Sequence, residues 1–178
     1  LKQIWLRHLT RMYALSLVWF CTGIESMSKK ILFVLSEYGY WGEELVGPLE
    51  ACDKAGYEVH FMTPTGRRAP ALPPSMQEGF FDPPLKKVVT NAYYAAATRA
   101  LDEGTRLNDP INLEAWFPER PYFNDREFGH QLEAYHTRRG ECWKELEQYD
   151  ALVMVGGSGP MVDMCNNIRL HDVILGFL

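Results

Sequence analysis

Two segments of the chain hold residue types that could do chemistry, and each comes after an apolar run. Glu43 and Glu44 open an amphipathic stretch, Glu43 to Ala55, after the run Ile31-Leu-Phe-Val-Leu35. A carboxyl group partly buried in a first helical turn has its pKa raised and can share a proton with a nucleophile. Position alone accounts for such a residue more readily, since an acid in a first turn stabilises the helix dipole by roughly 0.3–1 kcal/mol. The second segment, Gly156-Gly157-Ser158-Gly159-Pro160, comes after Ala151-Leu-Val-Met-Val155. Glycines at a strand end let backbone N–H groups face outward, where they suit an oxyanion or a phosphate, and Pro160 fits the first position of a helix. The dinucleotide fingerprint fails, because Val162 stands where its third glycine belongs, and no Walker lysine comes after it. A purely structural turn is the competing reading of this segment.

Other reactive residue types fit chemistry less well. His130, Glu133 and His136 are spaced three apart, so neighbours share a helix face but all three do not converge on one ion, and HExxH is absent. No metal site is expected. His60 lies on the polar phase of its strand, as a surface or interface residue, and His171 on a helix surface. Cys52 falls on an apolar helix face, Cys142 on another helix and Cys165 several residues beyond Pro160. None of them occupies a strand-to-helix elbow, so structural roles are expected.

The elements that must position these groups alternate between strand and helix. The apolar run 31–35 has the pattern of a strand buried on both faces of a parallel sheet. Leu45, Val46, Leu49 and Cys52 fall on one face of the next helix, and Gly56 stops it. Tyr57-Glu-Val-His-Phe-Met62 alternates with period two and closes a βαβ unit. The run 151–155 is a further strand, succeeded by a helical pattern from about Met161 to Leu178. The span 64–150 is far longer than the usual connection of about 4–6 residues, so it reads as an inserted cap. Its first part, 64–84, is broken by six prolines between Pro64 and Pro84, and helical patterns come next at Asn91–Glu103 and Glu127–Gln148.

With 178 residues, 47% of them hydrophobic and 23% charged, the chain forms about one domain with a real core. Its formal charge of −5, from 18 basic and 23 acidic residues, disfavours nucleic acid as a partner. Four cysteines without a CxxC pair indicate a reducing compartment, hence a cytoplasmic location. Residues 1–26 differ in kind: Lys2, Arg7 and Arg11 precede an apolar stretch, Met12 to Cys21, too short to span a bilayer. Three readings stand, namely a dispensable leader with Met27 as the natural start, an export signal, and a membrane-surface helix. In each the segment lies outside the fold of 27–178. The chain ends within an apolar helical run, Val173 to Leu178, so the domain is expected to be incomplete at its C-terminus.

Lys30-Ile-Leu-Phe-Val-Leu35, Gly42-Glu-Glu-Leu-Val-Gly-Pro-Leu-Glu-Ala51 and Lys54-Ala-Gly-Tyr-Glu-Val-His-Phe61 together resemble the opening of the ThiJ/PfpI superfamily. Tyr149-Asp-Ala-Leu-Val-Met-Val-Gly-Gly-Ser-Gly-Pro-Met-Val-Asp163 is similar to its glycine-pair segment. The resemblance implies an α/β, flavodoxin-like three-layer sandwich with a mostly parallel sheet, related to class I glutamine amidotransferases. The long 64–150 segment resembles the larger chaperone and glyoxalase III-like branch. Carried over by position, the acidic partner of the family's nucleophilic cysteine is Glu44, four residues before Pro48, with Glu43 as fallback. Gly156 and Gly157 match the glycine pair whose second member contributes an oxyanion-hole amide, and Ser158 then lines the pocket. The nucleophilic cysteine and the histidine after it belong to a later strand that this sequence does not reach, so the chain itself is expected to be inactive. For the parent protein the resemblance implies conversion of methylglyoxal, a small-molecule aldehyde, to lactate with no added cofactor, and a homodimer is compatible with it. Two other functions compatible with the resemblance are a non-catalytic chaperone or binding module and an amidotransferase-type hydrolase or peptidase.

Overall fold

The computed structural model describes residues 28–123 and 126–178; the leader expected at 1–26 lies outside the described residues. Strand β1, Lys30–Val34, is buried on both faces, with Leu32, Phe33 and Val34 sealed from solvent. Alternate side chains of a strand point to opposite faces, so one apolar run feeds two cores. Ile31, Phe33 and Leu35 pack with Leu45, Leu49 and Phe61, whereas Leu32 and Val34 pack with Met62, Cys142, Leu146 and Val173.

Helix α1, Gly42–Ala55, covers the first core with Leu45, Val46 and Leu49 and stops at Gly56, whose φ of 70° is the left-handed conformation of a C-terminal cap. Strand β2, Glu58–Thr63, then pairs in parallel with β1. A 3-10 turn at Pro73–Met76 leads to a small antiparallel hairpin of β3, Phe81–Asp82, and β4, Lys87–Val88. Helix α2, Ala92–Glu103, starts where the Asn91 side chain accepts the Tyr94 N–H and lies against α1. Strand β5, Ile111–Asn112, runs into the one-turn α3, Leu113–Trp116, and the long α4, Phe128–Leu146, comes next. Strand β6, Ala151–Met154, ends at the glycine-rich turn, beyond which lie α5, Pro160–Asp163, and α6, Ile168–Gly176.

The main sheet has the order β5-β2-β1-β6 with every pair parallel. Helix α1 packs on one face and α4 and α6 on the other. This is the flavodoxin-like three-layer sandwich expected from the sequence. Because β2 and β6 flank β1 on opposite sides, the chain leaves β1 one way and later returns on the other. Open α/β sheets bind ligands at such a switch point, outside the carboxyl ends of the strands. Here that crevice lies between the segments that succeed β1 and β6.

Two features differ from the sequence reading. The helix expected over 161–178 is two helices, because Asn167 accepts the Leu170 N–H through its side chain and so caps a fresh start at Ile168. The span 64–150 is less of a cap than its length suggests: β5 inside it forms a sheet edge, with Met62 opposite Ile111, and α4 inside it covers a sheet face. Two residues are too few to show an alternating pattern, which is why β5 is invisible to periodicity.

Candidate active site at the carboxyl end of the sheet

The segments after β1 and β6 are laced together by backbone contacts. Trp41, the residue before α1, donates its N–H to the Gly156 carbonyl at 2.9 Å. Glu37 donates its backbone N–H to the Asp163 carboxylate at 2.8 Å. A β-carbon at Gly159 would overlap the Gly39 carbonyl, so the two turns touch back to back. Gly157 has a φ of 124°, and a β-carbon there would come within 2.9 Å of the Trp41 nitrogen. Close approach, more than turn geometry alone, is what these glycines permit.

Glu44 is the third residue of α1, and this lacing sets where its side chain falls. Its Oε2 occupies the space that a side chain on Gly156 would need. The structure thus brings Glu44, Gly156 and Gly157 together at one rim. Glu43 and Glu44 are both exposed and line one cavity, so the partly buried carboxyl expected from sequence is not found at either residue. Ser158 is exposed on the same turn, and its carbonyl accepts the Met161 N–H at 3.3 Å. Among the described residues, the backbone N–H groups of Gly157 and Ser158 donate to no protein acceptor. Unpaired donors beside a carboxylate can stabilise a developing oxyanion while the carboxylate moves a proton.

A cavity of about 480 Å³ opens beside Glu44, between Trp41 and the hairpin residues Asp82, Leu85 and Lys87. Beyond Gly156 lies an apolar groove of about 330 Å³, lined by Met154, Val155, Met164, Cys165 and His171. Cys165 is the free thiol nearest in sequence to the glycine turn, yet His171 bonds its carbonyl at 3.0 Å and not its sulfur. Cys52 and Cys142 pack against the two separate cores, and burial pushes both thiols up from their ordinary pKa. None of the three is a base-activated nucleophile.

His60, His136 and His171 take structural partners. His60 sits between the Tyr149 hydroxyl and Glu58, each at 2.8 Å, toward the opposite end of the sheet. His136 contacts Arg139 at 3.0 Å. Among the described residues no group of three or more His, Cys, Asp or Glu side chains could hold a metal ion.

Several residues of this region escape a sequence reading. Trp41 acts through its backbone, which no residue type announces. Glu37 and Asp163 are ordinary acids in sequence, and only their contacts distinguish them. Burial raises the Glu37 carboxyl pKa, but bonds from Thr65 and Arg67 outweigh it and hold the group below its ordinary value. Gly39 and Gly159 carry the one signal open to a sequence reading, since two glycines in different turns suggest a close backbone approach.

A family model described as ThiJ/PfpI family-like matches residues 35–178. The chain belongs to the ThiJ/PfpI-like family. A crystal structure of a protein designated APC35852 is similar in fold, with 22% sequence identity and a TM-score of 0.50. The match covers 85% of this chain and 52% of that one, so the chain spans about half the length of its structural relative. No curated protein matches. Among the described residues no helix is long and apolar enough to cross a membrane.

Proposed function

We propose that this chain is part of a glyoxalase III-like enzyme that converts methylglyoxal to lactate. One observation supports the reading more than any other: the Glu44 carboxylate lies against Gly156, and the two residues after it, Gly157 and Ser158, have backbone N–H groups that no protein acceptor takes. In this scheme a cysteine thiolate of the whole protein attacks the aldehyde carbon. The carbonyl oxygen gains negative charge as the bond forms, and the Gly157 N–H stabilises it. Glu44 takes the thiol proton and then carries the proton that must pass from the aldehyde carbon to its neighbour. Water releases the thiol and completes lactate, so methylglyoxal plus water balances the product without an external oxidant or cofactor.

The substrate in this reading is a small neutral aldehyde, and a homodimer is the assembly proposed. The experiment is methylglyoxal consumption by the protein extended through its own reading frame, with and without Glu44→Gln. Loss of activity of at least about a hundredfold is expected, the scale of a missing acid–base group. Unchanged turnover would remove Glu44 from the mechanism.

A second reading is a non-catalytic chaperone or binding module. The apolar groove beside β6 favours it, together with the exposed side chains of Met154, Met161 and Val162. An extended protein without turnover that still suppresses aggregation of an unfolded client would select it. An amidotransferase-type hydrolase or peptidase would instead release ammonia from glutamine or cleave peptides in the same assay series.

A further inference from the structure

We propose that Glu37 is a positioning residue for the Glu44, Gly156 and Gly157 rim, holding the segment after β1 against the segments after β2 and β6 at once. The catalytic consequence rests on the glyoxalase III-like reading, but the mechanical role stands on geometry alone.

The Glu37 side chain is 2% exposed. Its oxygens accept the Thr65 N–H at 2.5 Å, the Thr65 hydroxyl at 2.9 Å and the Arg67 Nε–H at 2.8 Å. A second Arg67 nitrogen approaches the same oxygen, Oε2, to 2.7 Å, so two guanidinium nitrogens share one carboxylate oxygen. Thr65 and Arg67 belong to the segment after β2. The backbone N–H of the same residue is held from the other side by Asp163, after β6. Glu37 is therefore a hub for three of the four segments that leave the main sheet at its carboxyl end.

The short path from Glu37 to Glu44 has little freedom left. Gly39 packs on Gly159, Tyr40 donates its N–H to the Pro70 carbonyl at 3.1 Å, and Trp41 donates to Gly156 at 2.9 Å. Helix α1 begins at the next residue, so the place of Glu44 is inherited from this strap.

A fold-stabilising ion pair is the plainer explanation, and the exposure of Arg67 argues against it. Arg67 is 69% exposed, and a guanidinium left in water contributes little to stability. Burying the carboxylate meanwhile carries a desolvation cost that its bonds must offset. An ion pair of small net stability at the switch point of the sheet is better accounted for by where it holds the chain.

Amide hydrogen exchange, read by NMR on the 178-residue chain, separates the two explanations. In Glu37→Gln, one accepting oxygen becomes an amide that faces the Thr65 and Arg67 donors. The Trp41 amide, bonded to Gly156, should then exchange at least about tenfold faster, while the Phe33 amide in β1 changes less than about twofold. Asp163→Ala removes the acceptor on the other side and should produce the same selective loss. Trp41 exchange that stays constant, or rises in step with Phe33, overturns the proposal. Unfolding of both variants overturns it as well, because groups that only position a strap leave the fold standing. In the extended protein, Glu37→Gln should lower kcat for methylglyoxal about tenfold with KM held within about twofold. Absence of turnover in the unsubstituted extended protein would defeat the functional reading and leave the exchange result intact.

Discussion

Trp41 donates its backbone N–H to the carbonyl of Gly156 across 2.9 Å, one residue before α1 begins. This bond joins the two halves of the candidate site, which lie far apart in sequence. It fixes the start of α1 against the end of β6, and the third residue of the helix then meets the first glycine of the turn. Pro48, inside α1, cannot donate an N–H, so the Glu44 carbonyl lacks its usual partner one turn on.

Gly42 presses α1 onto α2: a β-carbon there would overlap the Thr98 hydroxyl and methyl, and both residues are buried. Gly42→Ala should destabilise the fold by about 1–3 kcal/mol through overpacking. Thr98→Ala opens that space and also removes a buried hydroxyl without a hydrogen-bond partner. The double substitution should therefore be markedly less destabilised than the sum of the single ones. Urea unfolding of all four proteins measures the coupling, and strict additivity would refute the contact.

Glu37 gives stability a pH dependence of known sign. Its folded-state pKa lies below the ordinary value of 4.5, so its contribution is fully present above that value and is lost as pH falls toward the folded pKa. Hydrogen bonding to Arg106 lowers the Asp53 pKa as well, so the loss in acid is shared. Urea midpoints between about pH 5 and pH 3 should fall less steeply in Glu37→Gln than in the unsubstituted chain. Identical slopes would mean that the bonds from Thr65 and Arg67 do not favour the charged form.

Much of this arrangement is legible without coordinates. The β1 run, the α1 face and the Gly56 stop each carry a strong local signal, and the structure places them within a residue or so of the boundaries read from sequence. The carboxylate and the glycine pair are visible as residue types positioned after strands. Their meeting is not visible, because it depends on strand order, and β6 pairs with β1 only after a long excursion of the chain. The break at Asn167 is missed for a local reason: hydrophobic spacing continues across it, while an asparagine side chain restarts the helix. Glu37 is missed because a buried carboxylate in a turn has the same letter as an exposed one.

On the opposite face of the sheet, Asp172 ties α6 to α4. Its carboxylate accepts from the Tyr135 hydroxyl and pairs with Arg139 at 3.3 Å, with the Asp172 side chain 5% exposed. Asp172→Ala should destabilise by about 3–5 kcal/mol, since it leaves a mostly buried guanidinium without its carboxylate. Tyr135→Phe removes one hydrogen bond to a charged group and should cost about 1.5–3 kcal/mol. Equal losses for the two variants in urea unfolding would show that the ion pair adds nothing to the hydrogen bond.

Gly156 and Gly157 are adjacent, but alanine should act differently at each. At Gly156 the added β-carbon meets Glu44 Oε2, the far end of a flexible side chain that can swing aside. Stability should change by less than about 1 kcal/mol, partly because alanine restricts the unfolded chain. At Gly157 the φ of 124° and the Trp41 nitrogen, 2.9 Å from the new carbon, involve backbone that cannot yield cheaply. That substitution should cost about 1–3 kcal/mol. The functional consequence runs in the other order of subtlety. Gly156→Ala displaces the carboxylate from the rim without unfolding anything, so the extended protein carrying it should lose methylglyoxal turnover much as Glu44→Gln does. Paired urea curves and turnover assays decide the matter. If Gly156→Ala were the more destabilising of the two, or kept full turnover while Glu44→Gln lost it, the carboxylate would not be working from the position it holds over Gly156.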